Sequence, residues 1–141
     1  MDKEKRTQLI AAIKALGYST GGNRVLVTRS QFFDGNDDPG SIGCNLIPEH
    51  PGVAAFDSAF RKIENMDGVA GVYFAITEIN ETYDDIWLFT DTAWIITRLT
   101  PSAFESFLRP LEPDEIGFSN EQFANPPAIT EGYRLVQVWW D

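Results

Sequence analysis

A single cysteine, Cys44, and a single histidine, His50, are all that this 141-residue chain holds of the residue types that most often build disulfides and structural metal sites. One thiol excludes an internal disulfide, and one Cys with one His falls short of the several needed for a structural zinc site. Long apolar runs are missing too. No window approaches the roughly 18 consecutive apolar residues of a membrane-spanning helix. The start, MDKEKRTQLI, has no apolar stretch of the kind a secretion signal requires, so a cytoplasmic location is expected. Positive charge is scarce: 11 Lys and Arg stand against 21 Asp and Glu, a formal net charge of -10. Nucleic-acid affinity comes from cations neutralising phosphates, so neither nucleic acid nor an anionic membrane is an expected partner. An acidic surface instead favours basic protein partners and steers them in at low ionic strength. The phosphate-cradling G-x-x-x-x-G-K-[ST], the dinucleotide fingerprint G-x-G-x-x-G and the G-x-S-x-G elbow do not occur, and no cofactor is expected.

What the chain does hold is core material. Aromatic residues make up 13%, with ten Phe and four Trp, and each large ring buries roughly 150 to 250 Å² when enclosed. The length suits one domain spanning 1–141. Leu9, Ile10, Ile13 and Leu16 recur at spacings of three and four, which predicts an added N-terminal helix within 1–17, with Asp2 as its cap and Gly17 just past its end. Residues 24–30 read as a central strand. Pro51 suits a first helical turn, and Val53, Phe56, Phe60 and Ile63 form the stripe of a helix closed by Gly68. Strands follow at 69–79 and 92–99, then a short helix opened by Thr100 and Pro101, and a last strand at 133–140. Residues 112–130, with three prolines, read as one irregular segment anchored by Phe118 and Phe123.

The order strand, helix, strand, strand, helix, strand over 24–140 predicts an α+β fold: a ferredoxin-like split βαβ sandwich with a four-stranded antiparallel sheet and two helices on one face. The N-terminal helix would then cover the open face or an edge. Without it, an apolar face would remain for a second subunit, so homodimerisation is expected.

The densest chemistry lies between Gln31 and Leu46. Asp34, Asn36 and Asp38 alternate as at the start of an EF-hand calcium loop. The pattern then departs: Pro39 stands where the sharp turn needs Gly, and Asn45 where a bidentate Glu is required. These three residues are weak metal candidates, and with Asp37 they are candidate binding residues. Turn chemistry explains the same composition, because Asp and Asn bond to nearby backbone and Gly and Pro supply unusual dihedrals. Cys44 and His50 can be written as a nucleophile and base, but nucleophilic catalysis needs hydrogen-bond reach and an orienting third group. The pairs Asp84–Asp85 and Asp114–Glu115 sit in polar connections, where solvation accounts for them. Trp139 and Trp140 must face opposite sides of their strand, and Trp is enriched in binding hot spots.

These readings point to a non-enzymatic acidic module that binds a protein partner, with an immunity-type inhibitor of a basic protein as one use of the charge. An enzyme, or a small-ligand or divalent-cation binder, centred on residues 34–50 is the alternative from another class.

Overall fold

The computed structural model describes residues 1–141. Helix α1 (Lys3–Ala15) is capped by the Asp2 carboxylate, which accepts from the Lys5 amide at 3.1 Å. Strand β1 (Val25–Thr28) ends earlier than its β-rich composition suggests, because Thr28 and Gln31 close a reciprocal capping box and start the short helix α2 (Arg29–Phe33). Two 3-10 turns, at Pro39–Ser41 and Cys44–Leu46, lead to α3 (Val53–Glu64). Strands β2 (Val69–Ile76) and β3 (Thr92–Thr97) follow. A 3-10/α/3-10 segment, whose central turn is α4 (Glu105–Leu108), precedes β4 (Glu115–Ser119) and β5 (Arg134–Trp139).

The protein is α+β, with one five-stranded sheet in the order β1-β2-β3-β5-β4 and every neighbouring pair antiparallel. This corrects the four-stranded ferredoxin-like expectation in two respects. Strand β1 lies at an edge rather than in the centre, and β4 is an additional strand inside the segment read as irregular. The reason for the first is the number of times the chain crosses the body between β1 and β2. In a split βαβ unit one helix makes one crossing and the flanking strands run parallel. Here the α2 segment carries the chain to the far end of the sheet and α3 brings it back, so β1 and β2 end up antiparallel neighbours. The split arrangement does occur later: β3 and β4 run in the same direction with β5 inserted between them.

One face of the sheet carries the main core. Val27, Phe74, Ala93 and Val138 align across four strands and pack against Leu9 and Ile13 of α1 and Phe56, Phe60 and Ile63 of α3. The rings interlock. Phe60 meets Phe74 edge-on at 5.1 Å between centroids, and Phe56 lies 5.4 Å from Trp140. Helix α1 therefore sits on the same side as α3 rather than over the open face. That other face, with Leu26, Ala75, Trp94, Ile96 and Leu135, is covered by the chain itself. Residues between β4 and β5 cross it from one edge to the other, seat Phe123 against Trp94 at 5.1 Å, and fix the β1 edge through Asn125. The Asn125 amide accepts from the Leu26 N–H and donates to the Leu26 carbonyl, imitating a neighbouring strand and closing an edge that would otherwise be open to pairing.

Candidate functional site

The strand register sorts the polar residues between two ends of the sheet. One end gathers Arg24, Glu78, Asp91, Asp114, Glu115 and Asp141, because β2 and β5 finish there while β1, β3 and β4 begin. The opposite end gathers Arg29, Asp67, Arg98 and Arg134. At this second end each cation has a partner. Arg29 bonds Asp57 at 2.6 Å and also Glu64, Arg98 meets Asp67 at 3.1 Å, and the Arg134 guanidinium lies 3.6 Å above the Phe118 ring. Burial alone would favour an uncharged Arg29, but its hydrogen bonds to Glu64 and Asp57 outweigh that and raise its pKa above the ordinary value.

The first end differs. Arg24 is held at 2.7 Å by Asp91, whose carboxylate also accepts from Thr92 and Thr77. Asp114 accepts from the Asp141 amide at 2.7 Å and from Asn45 at 3.3 Å, which brings the turn at Cys44–Leu46 beside β4. Glu78, Asp85, Glu115 and Asp141 are exposed, and none of them takes part in the ion pairs of the fold.

The connection between β2 and β3 at this end is anchored from below by Arg6. This arginine is only 6% exposed. It donates to the carbonyls of Ile86 at 2.7 Å, Tyr83 at 3.1 Å and Asn80. Lys3 and Lys14 on the same helix pair with Asp84 and Glu81. The cations of α1 are thus engaged by this connection and by the 34–37 loop.

That loop is built as a turn. Asp34 pairs with Lys5 at 2.7 Å, and this hydrogen bond is the main reason the Lys5 pKa is raised. Asp37 pairs with the Met1 amine at 3.0 Å. The Asn36 amide donates to Ser41 and to the Phe32 carbonyl, and its oxygen accepts from the Asp38 N–H. Asp38 reaches furthest: one oxygen accepts from the Gly40 amide and the other from the Trp87 amide, each at 2.9 Å. The loop carboxylates are therefore distributed among separate internal partners, and no group of three His, Cys, Asp or Glu side chains is arranged to hold a metal ion.

Cys44 and His50 are not brought together as a pair. The His50 Nδ1 accepts from the Gly52 amide at 2.9 Å, which leaves Nε2–H to donate to the Ile42 carbonyl at 2.7 Å, and the ring stacks on Phe56. Both nitrogens have backbone partners, so no base is left for a thiol. Cys44 is exposed. Gly43 just before it has φ 62°, and a side chain there would meet the Phe56 ring at 2.7 Å, so only glycine lets the chain lie this close to the core. Trp140 is buried, and its indole N–H donates to the Leu111 carbonyl at 2.8 Å. Trp139 is half-buried on the other face, where it lines a polar cleft of about 290 Å³ with Arg24, Thr92, Glu121 and Gln137.

A second concavity, of about 310 Å³, opens between the 40–44 turn and the β2–β3 connection. Gly40, Cys44, Ile86, Trp87 and Phe89 form most of its wall, and Glu78 and Asn80 supply the polar side chains. Of these residues the sequence marks Cys44, for a different chemistry, and Trp87, as one aromatic among several. Gly40 belongs to the same loop as Cys44, and the rest come from a connection whose composition signals little beyond a polar turn followed by IWLF.

Residues 4–138 match the model of the family described as "Uncharacterized protein YfbO family". The protein described as "Uncharacterized protein YfbO" from Escherichia coli (strain K12) is 32% identical over 121 residues, covering 84% of this chain and 84% of that protein. No solved structure matches. A family match across nearly the whole fold, together with a relative aligned over most of its own length, places this chain in the YfbO family.

Proposed function

We propose that the protein is a non-enzymatic binding module that presents the acidic end of its sheet to a basic protein partner. One observation carries this reading: Glu78, Asp85 and Glu115 are exposed at one end of the sheet without cationic partners, and Glu78 lines a partly apolar cavity there, while the cations of α1 and of the opposite sheet end are already engaged. A surface of this kind attracts a basic partner over a distance, and apolar contacts then hold it. Neutralising a basic protein, as an immunity-type inhibitor does, is one use it serves. Self-association through the aromatic face is a weaker candidate, since the chain covers much of that face with Phe123 and Tyr133.

The experiment is capture of partners from a cell extract by immobilised protein, with identification of what is retained. It is run at about 0.05 M and about 0.5 M salt, where screening lengths differ severalfold. Three proteins are compared: wild type, the sheet-end variant Glu78→Gln/Asp85→Asn/Glu115→Gln, and the control Asp67→Asn/Glu105→Gln/Glu131→Gln, which removes the same charge elsewhere. The expected result is a basic protein retained by wild type and control at low salt, and lost at high salt and with the sheet-end variant. An acidic partner, salt-indifferent retention, or equal loss with the control would overturn the proposal.

A further inference from the structure

The cavity of about 310 Å³ is held open by groups outside it. The Asp38 carboxylate ties two of its walls together, taking the Gly40 amide on one oxygen and the Trp87 amide on the other, each at 2.9 Å. Arg6 fixes two more wall residues through the carbonyls of Asn80 and Ile86. A backbone bridge between Ile42 and Thr90 joins the two segments just beyond the cavity. Ordering the binding surface before a partner arrives reduces the entropy lost on association.

The chemistry of the walls is specific. Ile86 and Phe89 offer apolar and ring surface, with the buried Trp87 packed behind them, whereas Glu78 brings a carboxylate without an ion-pair partner. Asn80 is not a competing acceptor, because its side-chain oxygen already accepts from the amides of Thr82 and Tyr83 at 3.0 Å each. A concavity with apolar sides and one free carboxylate matches a long aliphatic stem carrying a cation. Such side chains bury their methylenes while the charged head seeks an anion, and aromatic rings add attraction for the cation.

We infer that this cavity receives one lysine or arginine side chain of the basic partner, with Glu78 as the counter-ion for its head. The inference rests on the acidic-end reading and names what anchors the complex there. It also assigns Asp38 and Arg6 as positioning residues for the pocket, and it gives Cys44, at the mouth, the part of a wall rather than of a nucleophile.

The test uses N-acetyl-arginine amide and N-acetyl-lysine amide as probes and N-acetyl-norleucine amide as the uncharged control. Titrations are followed by ¹H–¹⁵N NMR of the full chain. A single side chain gives millimolar affinity. The cationic probes should shift resonances of Gly40, Glu78, Asn80 and the Trp87 indole N–H, and slow alkylation of Cys44 by iodoacetamide. Norleucine amide should do neither, and Glu78→Gln should weaken the cationic probes at least about tenfold, as expected for loss of a charge-assisted hydrogen bond.

Three outcomes would overturn the inference: shifts spread over Glu115 and Asp141 without Trp87, no shifts at tens of millimolar probe, or Glu78→Gln binding as well as wild type. The captured partner separates this from the wider reading. If the sheet-end triple variant loses the partner while Glu78→Gln alone retains it at full affinity, the acidic surface stands and the pocket assignment falls. If the triple variant also retains it, both fall.

Discussion

Two acidic stretches of this chain have opposite fates. In the first, DGNDD at 34–38, each carboxylate has a partner within the chain: Asp34 the Lys5 amine, Asp37 the Met1 amine, Asp38 two backbone amides. In the second, the end of the sheet from Glu78 to Asp85 and from Asp114 to Glu115, several carboxylates meet only solvent. The difference teaches that a dense run of Asp, Asn and Gly signals a turn that must satisfy itself. Carboxylates scattered over strand ends become one surface only when the sheet assembles. The first stretch supports the fold, and the second is free to meet something else.

The sharpest way to break this contrast is to release the second stretch from its anchor. Arg6→Met removes three hydrogen bonds to the carbonyls of Asn80, Tyr83 and Ile86 and leaves those groups poorly paired. A loss of about 3 kcal/mol in unfolding free energy is expected, at the upper end for single substitutions away from the hydrophobic core. Urea denaturation followed by tryptophan fluorescence measures it. The next largest effect belongs to the first stretch. Asp38→Ala strands the Gly40 and Trp87 amides, and about 2 kcal/mol should be lost, with Asp38→Asn losing less because one acceptor remains.

Much of the architecture is readable in the sequence. The α1 and α3 stripes, Leu9 with Ile13 and Phe56 with Phe60, are buried as their periodicity requires. Strands β2 and β3 fall where β-branched and aromatic residues cluster. Strand β4 was not readable: EIGFS has only two apolar residues, follows Pro113 and contains a glycine, and it is a strand because β5 offers it an edge. Helix α2 had a signal that composition hid, the Thr28-x-x-Gln31 capping box inside a run that looked like strand. The sheet order was beyond a list of elements, since one crossing or two between β1 and β2 depends on how a loop is spanned.

The candidate site was legible in part. Asp38 stands out in the sequence as a turn residue and a metal candidate; its turn bond to Gly40 is there, and the same carboxylate also positions Trp87 from 49 residues away. Glu78 and Ile86 gave no signal, because a pocket between two connections exists only once Arg6 and Asp38 have fixed both.

A smaller effect sharpens the contrast from the ion-pair side. The Lys5 pKa is raised above its ordinary 10.5, chiefly by the hydrogen bond to Asp34. A raised folded-state value means that this pair contributes stability below 10.5, and that the contribution fades as pH rises through the raised value. Thermal melts of wild type and Lys5→Met should therefore differ slightly near neutral pH, and the difference should close only as pH rises past the raised Lys5 value. Because the pair is exposed, added salt should shrink it as well.

The most direct measurement is the urea midpoint of the sheet-end variant Glu78→Gln/Asp85→Asn/Glu115→Gln at low salt, beside that of Asp38→Ala. The account predicts that removing three partnerless carboxylates from a chain of net charge -10 leaves the midpoint unchanged or raises it, by relieving like-charge repulsion. Asp38→Ala should lower it. A sheet-end variant that falls as far as Asp38→Ala would show those carboxylates to be structural, and would contradict the assignment of this surface to binding.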